Sequence, residues 1–499
     1  MKQVSFISNS KTIEFLKRGI AIVVTVSLIV GGAYFIQEIT RLKKTGNSGD
    51  ILYKSYFEDP SQYDVLFLGT SHLMYGISPL EIWNEYGITS YNWGSPTCSI
   101  PTIYWKMINI LDYQTPELVV VDCFRATWEQ KTYSEARIHE ALDAFPLSYH
   151  KYMAVKDLMD GQIRKEDGLE YSKQEQINVL MPLSAYHTRW DSLDERDFHG
   201  KDMDTKGSEL FTDVDIPIEI SNTSAKTEIT ENMQGVVYLK KIIEECQSRD
   251  IPILLTYLPY PTSEQWKMEA NMIDDIASEY GVDYLDFTKL DVVNYNTDFS
   301  DSESHMNVSG EEKVSKYMGR YIVENFEVDT RTSDEKISAD WNDKYDEYKA
   351  YREGLILDQS VLKDYLMLLH DTSHTVIIEV KDNNIFANEL LLQLLQGVCE
   401  DVTIDEHTSY LVVKDGKAVA LTDFTDDGAT CNTDIGVFSL KYNDDKTYSI
   451  LLDKEEVYVG DPEEYSMAIR VLDGLEQFDH VKFNLSDENG LFTNDQLIR

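Results

Sequence analysis

Continuous apolar runs alternate with helical patterns from residue 64 onward, and this alternation constrains the fold more than any other feature of the sequence. The predicted strands cover 64–69, 117–124, 251–259 and 282–287, the first of them a continuous apolar run, and the helical patterns between the strands cover 102–113, 235–249 and 264–280. Short unbroken apolar runs are typical of strands buried on both faces, and strands that alternate with helices form parallel βαβ units. The sequence therefore predicts an α/β domain of three layers, with a parallel sheet between two layers of helices.

An uncharged apolar stretch, Gly19–Ile36, lies near the amino terminus and follows Lys17 and Arg18. Its length is about the minimum needed to span a hydrocarbon core. A cleaved signal peptide is the alternative, because residues 30–33 are small enough for a cleavage site. The stretch exceeds the usual signal core of about 7–15 residues, however. We therefore expect an uncleaved single-pass anchor in the cell membrane, with a short inner tail and the bulk of the chain extracytoplasmic.

Three further regions differ in pattern from the α/β domain. Residues 126–230 are polar and helical in character, which indicates an insertion over one end of the sheet. Aromatic residues at helical spacing predict a connecting helix, and β-patterned runs with a Lys-Asp-Gly-Lys hairpin signal then predict a separate α+β module. The predicted divisions are a tail and transmembrane anchor (1–45), the α/β domain (46–328), a linker (329–354) and the α+β module (355–499).

The charge of the chain is strongly negative, with 88 acidic against 45 basic residues and a formal net charge of −43. Such a surface repels nucleic acid phosphates, so we expect no nucleic acid partner. The five cysteines are odd in number and contain no Cys-x-x-Cys pair, which argues against a disulfide framework and a structural zinc site. No two histidines share helical ligand spacing, so we predict neither a metal nor another cofactor.

Ser71 stands in a bend of small residues, Phe-Leu-Gly-Thr-Ser-His (67–72), directly after the first predicted strand. Functional groups of parallel sheets gather beyond the carboxyl ends of the strands. Gly-Thr-Ser is also ordinary turn chemistry, and serine often caps the helix that follows a turn. Ser71 is therefore either a nucleophile or a helix cap.

His305 is the candidate base for this serine, because a nucleophilic serine needs a group that takes its proton. It lies in a polar loop just before an amphipathic helix, and the acidic residues Asp298, Asp301 and Glu303 are near it in sequence. His72 is a competing base, but adjacent residues on a bend point in different directions. We therefore favour His305.

The two segments Phe-Leu-Gly-Thr-Ser-His (67–72) and Ser-His-Met-Asn-Val-Ser-Gly (304–310) resemble the SGNH, or GDSL-like, hydrolase superfamily. In that superfamily the nucleophilic serine follows the first strand, and an Asp-x-x-His motif precedes the last helix. The resemblance covers about residues 60–325. Together with Asn-Trp-Gly (92–94), the motifs are most similar to the membrane-anchored envelope branch, which includes acyltransferases and esterases of cell-surface polysaccharides and teichoic acids.

The resemblance implies a role for four residues of this chain. Ser71 would be the nucleophile and His305 the general base. Gly94 would give a backbone N–H to the oxyanion hole, with Asn92 beside it. The resemblance implies no cofactor.

Two features depart from the superfamily pattern. Position 302, three residues before the histidine, is serine, so Asp301 is our choice for the triad acid, with Glu303 and Asp298 as alternatives. The Gly-x-Asn-Asp oxyanion block is absent. The corresponding strand is followed by Arg125, which we consider as a donor or substrate-binding residue.

Two other segments have candidate binding roles. Tyr-His-Thr-Arg-Trp (186–190) is either an aromatic packing unit or a site for sugar or anionic groups through His187 and Arg189. Residues 362–383 and 409–421 resemble the interleukin-like epithelial–mesenchymal-transition-inducer domain, and also carbohydrate-associated modules of envelope proteins. Nothing in that module is arranged for catalysis, so we expect it to bind or scaffold.

These expectations combine into one function and one alternative. We expect an anchored extracytoplasmic SGNH-type serine esterase or O-acyltransferase that acts on cell-envelope glycans. Its partners would be the membrane, an acylated envelope polymer and a membrane acyl-donor protein. The alternative is a catalytically silent glycan-binding or envelope-assembly protein that keeps the same fold.

Overall fold

The structure of the chain is a computed structural model. It describes residues 7–40, 56–57, 62–193, 203–215, 220–261, 263–300, 305–460, 464–485 and 496–499. A long amino-terminal helix, α1 (Ile7–Thr40), comes first. Its segment Ile13–Thr40 has a mean hydropathy of 2.3, and its apolar part is not buried inside the protein, so the segment is long and apolar enough to cross a membrane. Its orientation in a membrane stays a prediction.

A parallel sheet with its helices follows the long amino-terminal helix. Its elements in chain order are β1 (Val65–Leu68), α2 (Ser71–Met74), α3 (Pro79–Tyr86), β2 (Ser90–Asn92), α4 (Ile100–Ile110), β3 (Leu118–Asp122), α5 (Glu135–Leu142), α6 (Tyr149–Met159), α7 (Lys173–Leu180), α8 (Pro182–Tyr186), α9 (Gln234–Ser248), β4 (Ile253–Tyr257), α10 (Glu264–Tyr280), β5 (Asp283–Asp286) and α11 (Val308–Asn325). In the described residues the strand order is β2-β1-β3-β4-β5, and every neighbouring pair is parallel. The predicted parallel α/β sheet is confirmed.

The strand order reverses at β1, which has β2 on one side and β3 on the other. Phe67 of β1 is in register with Asn92 of β2 and with Val120 of β3. In open parallel sheets, such a reversal leaves a crevice beyond the carboxyl ends of the strands, where ligands bind. The residues that follow β1 and β3 therefore lie at this crevice.

Both faces of the sheet are covered, as the unbroken apolar runs predict. All four residues of β1 are fully buried. Leu66 and Leu68 belong to one apolar cluster, whereas Val65 and Phe67 belong to a second cluster. Alternate residues of a strand point to opposite faces, so the two clusters are the two layers that cover the sheet.

The region 126–230 contains helices α5 to α8, and its standing as an insertion stays a prediction. Three of these helices begin at a serine whose hydroxyl accepts a backbone N–H of the first turn, Ser134, Ser148 and Ser172. The 3₁₀ turn that follows α8 contacts the end of the amino-terminal helix. The insertion is therefore packed against the predicted anchor.

The carboxyl-terminal part is built from helices and antiparallel strands. Its elements are α12 (Glu335–Asp358), α13 (Leu362–Leu368), β6 (Thr375–Val380), α14 (Glu389–Val398), β7 (Thr408–Lys414), β8 (Lys417–Thr422), β9 (Thr430–Thr433), β10 (Gly436–Tyr442), β11 (Tyr448–Leu452), β12 (Glu455–Gly460), β13 (Met467–Asp473) and β14 (Glu476–Phe483). The described strands form two sheets, β14-β13-β6-β7-β8 and β12-β11-β10-β9. The predicted hairpin is present, with Lys414 paired to Lys417.

Helix α12 continues through the predicted division at residue 354, because Leu355, Ile356 and Leu357 extend its apolar content. Its Arg352 donates from Nη1 to Oε1 of Glu81 on α3 and from Nη2 to Oε2 of Glu312 on α11, each at 3.0 Å. The connecting helix is thus fixed to the parallel-sheet part by buried charges. The division into separate domains stays a prediction.

Candidate active site

Ser71 is the first residue of the short helix α2, immediately beyond the carboxyl end of β1. The cap of this helix is Thr70, whose Oγ1 accepts the backbone N–H of His72 at 3.2 Å. Gly69 is required by close packing, since a Cβ there would lie 2.8 Å from Cβ of Leu73 and 3.0 Å from Cβ of Asp122. Because Thr70 is the cap, the Ser71 hydroxyl is not needed for that role.

The imidazole of His305 lies against this serine, although the two residues are 234 positions apart. Its Nε2 is 2.9 Å from Oγ of Ser71. The backbone O of His305 accepts the N–H of Ser300 at 2.9 Å, and Asn307 caps α11 through its side chain. The 2.9 Å between Nε2 of His305 and Oγ of Ser71 is within the range for proton transfer between a nucleophile and its base. For Nε2 to accept the serine proton, the imidazole must carry its own proton on Nδ1.

The candidate acids lie on the segment that precedes His305. Asp301 and Glu303 fall outside the described residues. Asp298 is buried, and its carboxylate accepts hydrogen bonds from Nζ of Lys313 at 2.8 Å and Oγ of Ser309 at 3.1 Å. These recorded partners lie on the first turns of α11, so Asp298 fixes that helix to the loop. Which residue orients His305 stays a prediction.

His72 is part of an aromatic layer beside the Ser71–His305 pair. Its ring is buried and packs against the rings of Phe124, at 3.9 Å, and Tyr260, at 4.5 Å between ring centroids. The ring of His305 lies 5.7 Å from it in an edge-to-face arrangement. The serine hydroxyl contacts His305, and the role of His305 as the base stays a prediction.

The proposed oxyanion residues are close to α2. Asn92 is buried, and its Nδ2 donates to the backbone O of Leu73 at 2.8 Å and of Ile77 at 2.7 Å. Its Oδ1 accepts the backbone N–H of Gly94 at 2.8 Å. A Cβ on Gly94 would lie 2.6 Å from the backbone N of Met74, so only glycine allows this approach. These bonds hold the turn around Ser71, and the oxyanion role of Gly94 and Asn92 stays a prediction.

Two aromatic side chains that the sequence did not identify border His305. Tyr75 and Phe211 stack on each other at 4.1 Å, and their centroids lie 5.0 and 5.6 Å from that of His305. The backbone O of Phe211 accepts the N–H of Val308 at 2.9 Å, which fixes its segment to the start of α11. Nothing in the pattern around Phe211 indicates this position.

Arg125 follows β3 and lies at the same edge of the sheet as Ser71. Its φ of 72° is in the left-handed region, which is unusual for a residue with a side chain. Its backbone N–H donates to Oε1 of Glu269 at 2.8 Å. The guanidinium carbon lies 4.2 Å from the ring centroid of Trp128, and burial lowers the pKa of Arg125. The structure thus places this predicted residue near the crevice.

His187 and Arg189 have their recorded contacts at another place. Nδ1 of His187 lies 3.0 Å from the backbone O of Ser184. Nη1 of Arg189 donates to the backbone O of Thr40, the last residue of α1, at 2.6 Å. None of these contacts includes Ser71 or His305. The geometry therefore gives Arg189 a part in holding the end of the predicted anchor.

A buried carboxyl group that the sequence did not identify lies close to the turn that carries Ser71. Asp122 ends β3 and is 1% exposed, and burial raises its pKa to about 7. Its Oδ2 has no hydrogen-bond partner among the described residues. A charged residue at the end of an unbroken apolar run was the available signal.

Comparisons with known proteins find similar solved structures but no matching family model. No protein-family model matches the sequence, and no curated protein matches it. One similar structure is a protein from Desulfitobacterium hafniense DCB-2, inferred to be lipolytic and of the G-D-S-L family, with 12% identity and a TM-score of 0.26 over 51% of this chain and 97% of that one.

Two further structures are similar at the same level. An inferred acylhydrolase from Bacteroides fragilis is 10% identical, with a TM-score of 0.28 over 55% of this chain and 94% of that one. An acetyl xylan esterase from the rumen bacterium Butyrivibrio proteoclasticus is 9% identical, with a TM-score of 0.25 over 53% of this chain and 64% of that one. At these identities and TM-scores, the likeness does not assign an activity to this chain.

Proposed function

We propose that the protein is a membrane-anchored serine esterase or O-acyltransferase that acts on acylated glycans outside the cell membrane. The observation that supports this most directly is the 2.9 Å distance between Oγ of Ser71 and Nε2 of His305 at the reversal point of the sheet. The cap function belongs to Thr70, so the serine hydroxyl is left for chemistry.

In the proposed reaction, Oγ of Ser71 attacks the carbonyl carbon of an O-acyl ester while Nε2 of His305 takes the hydroxyl proton. The C–O bond to the alcohol then breaks, and the alcohol leaves with the proton from His305. The acyl group remains on Ser71 as an ester. Water or a sugar hydroxyl next gives its proton to His305, takes the acyl group and restores the serine.

The membrane location and the glycan substrate have separate support. The long apolar helix α1 supports an anchor, and the resemblance of the serine and histidine segments to the envelope branch supports a glycan. Asp301 would hold the imidazole of His305 in the tautomer that accepts the serine proton, with Glu303 as the alternative.

A second function, glycan binding or envelope assembly without catalysis, has one observation in its favour. Both amide hydrogens of Asn92 and the N–H of Gly94 are used within the turn around α2. An enzyme of the proposed kind needs donors directed at the developing oxyanion. If these donors stay in place when substrate binds, acyl transfer would be slow.

A fluorophosphonate probe on the full chain in detergent separates the two functions. The probe should label the wild-type protein and the Ser90→Ala variant, but not Ser71→Ala. Ser90 is a matched control because it is a buried serine on β2 whose hydroxyl has no partner among the described residues. Equal labelling of Ser71→Ala, or no labelling of the wild type, would reject the nucleophile. Acetyl release with and without an added sugar acceptor then distinguishes hydrolysis from transfer.

A further inference from the structure

The guanidinium of Arg125 is a partly buried cation without a carboxylate partner among the described residues. Its Nε and Nη1 are buried and have no hydrogen-bond acceptor there. This is unexpected in a chain with 88 acidic residues, because buried charges in proteins are normally paired. Contacts with the rings of Trp128, at 4.2 Å, and Phe124, at 5.3 Å, compensate the charge only in part.

The nearest carboxylate on the neighbouring helix is used for another purpose. Glu269 of α10 is fully buried, and its oxygens accept the backbone N–H groups of Arg125, at 2.8 Å, and Thr127, at 2.9 Å. These bonds hold the loop after β3 in the left-handed conformation at Arg125. The loop is thus fixed by a carboxylate that bonds to its backbone, while Nε and Nη1 of Arg125 have no acceptor among the described residues.

A second cation lies over the same aromatic ring. Nζ of Lys165 is 3.9 Å from the ring centroid of Trp128. No carboxylate of the described residues is within ion-pair distance of it, whereas Lys131 in the same region pairs with Asp157 at 2.5 Å. Burial and then the charge of Arg125 lower the pKa of Lys165, so the two cations are close enough to repel each other.

The loop of Lys165 is fixed in this position by the backbone. The N–H of Glu166 donates to the O of Tyr133 at 3.0 Å, which attaches the loop between α6 and α7 to the segment after Trp128. Arg125 and Lys165 thus contact the ring of Trp128 from two separate loops, and each loop is held by hydrogen bonds. An anion bound between the two cations would relieve their repulsion.

The ring of Phe124 connects this cation pair to His72, the residue after the candidate nucleophile. The ring of Phe124, which contacts the guanidinium of Arg125, stacks at 3.9 Å on His72. His72 directly follows Ser71. Ser71 follows β1 and Arg125 follows β3, which are neighbouring parallel strands, so both residues stand at the same edge of the sheet. A substrate that extends along this edge from Ser71 would reach Arg125.

We propose that Arg125, Trp128 and Lys165 form an anion subsite that binds a negatively charged group of the ester substrate beside Ser71. The substrate class is then an acylated glycan with a carboxylate, as in a uronic acid, or with a phosphate group. Both present paired oxygens that suit the planar fork of arginine. This inference rests on the proposed function.

Three matched esters test the subsite: acetylated methyl glucoside, acetylated methyl glucuronide and acetylated glucose 6-phosphate. The measured quantity is the ratio of kcat/KM for each anionic ester to that for the neutral one. The wild type should prefer an anionic ester, and the larger ratio identifies carboxylate or phosphate as the group. Arg125→Gln and Lys165→Gln should each lower the ratio by about ten- to a hundredfold.

Two variants control for general effects. Lys241→Gln also removes a lysine over an aromatic ring, since Nζ of Lys241 is 3.8 Å from the ring centroid of Tyr238 on α9. It should leave the ratio unchanged. Lys165→Gln keeps the Arg125 loop intact, so it tests the subsite even if Arg125→Gln folds poorly. A wild-type ratio near one, or an unchanged ratio in Lys165→Gln and a folded Arg125→Gln, would overturn the inference.

A binding measurement separates failure of the subsite from failure of the proposed function. If the wild type turns over none of the esters, the proposed function fails, and the melting temperature with glucuronate, glucose 6-phosphate or glucose at equal ionic strength decides the subsite. A rise with an anionic sugar that Lys165→Gln removes and Lys241→Gln keeps supports the anion subsite. Equal melting temperatures with all three sugars reject it.

Discussion

Oγ1 of Thr70 accepts the backbone N–H of His72 at 3.2 Å, so Thr70 is the residue that caps the helix beginning at Ser71. This relationship separates two roles that the sequence leaves combined in one short segment. A threonine that caps and a serine that reacts should respond differently to removal of the hydroxyl group.

Thr70→Ala should therefore lower the free energy of unfolding by about 0.5–2 kcal/mol, because it removes a helix cap. Ser71→Ala should change that free energy little and reduce ester turnover by several orders of magnitude, as for loss of a triad member. Chemical denaturation and acetyl release from a chromogenic acetyl ester measure the two effects. Wild-type turnover by Ser71→Ala would contradict the assignment of the nucleophile.

The Ser71–His305 pair should act as a unit. His305→Ala should reduce turnover about as much as Ser71→Ala, and the double variant should be scarcely slower than either single variant. Independent groups would instead give effects that add in free energy. Steady-state kinetics of the three variants decide between these cases.

The three candidate acids should separate by the kind of defect. Asp298→Asn should mainly lower stability, because its carboxylate binds Lys313 and Ser309 at the start of α11. Asp301→Asn should mainly lower kcat, because a carboxylate that orients the imidazole is needed for the correct tautomer. A larger kcat defect in Glu303→Gln than in Asp301→Asn would instead assign the acid to Glu303. Melting temperatures of all three variants show which defects come from folding.

Much of the parallel sheet could be predicted from the sequence, because β1, β3 and β4 are mainly apolar. β5 was predicted as well, although two aspartates interrupt its apolar residues. The strand β2 (Ser90–Asn92) was not predicted. It has three residues, two of them polar, and Asn92 is buried only because its side chain bonds to the turn around α2. Strands of this kind depend on tertiary hydrogen bonds that a local pattern does not contain.

Residues of the candidate site could be predicted where they stand at the end of a strand pattern or at the start of a helix pattern. Ser71 and His305 each stand at the boundary of a recognisable strand or helix. Phe211, the aromatic neighbour of His305, does not stand at the boundary of a recognisable strand or helix. The contact of Arg189 with Thr40 joins residues 149 positions apart. Such partners follow from the packing of distant segments, which spacing along the chain does not encode.

Asp122 should make stability depend on pH. Burial raises its pKa from about 3.8 in the unfolded chain to about 7 in the folded protein. Between these values the unfolded chain releases a proton that the folded protein keeps, so this group lowers stability as pH rises from about 4 to 7. Asp122→Asn removes this dependence. Its melting temperature should equal that of the wild type near pH 4 and exceed it at pH 8.

Melting curves of Asp122→Asn and wild type from pH 4 to 8 measure this effect. Asp160→Asn is a suitable control, because Asp160 is exposed and its hydrogen bond from Lys173 lowers its pKa. That variant should show no gain at pH 8. If Asp122→Asn lost stability at pH 8, the carboxylate would be charged and paired in the folded protein.

Arg352 should be essential for the attachment of the connecting helix α12. Its guanidinium lies between the buried carboxylates of Glu81 and Glu312, at 3.0 Å from each. Removing one partner of a buried ion pair leaves uncompensated charge, which costs about 3–5 kcal/mol. Arg352→Met should therefore lower the free energy of unfolding by about that amount. Replacement of all three residues, as in Glu81→Gln/Glu312→Gln/Arg352→Met, should restore part of the loss, because the two carboxylates that bind Arg352 are then removed with it. Denaturant unfolding of the single and triple variants measures the loss of stability and its partial recovery. An exposed ion pair contributes below about 1 kcal/mol, so a loss of that size in Arg352→Met would show that α12 is held by its apolar contacts alone.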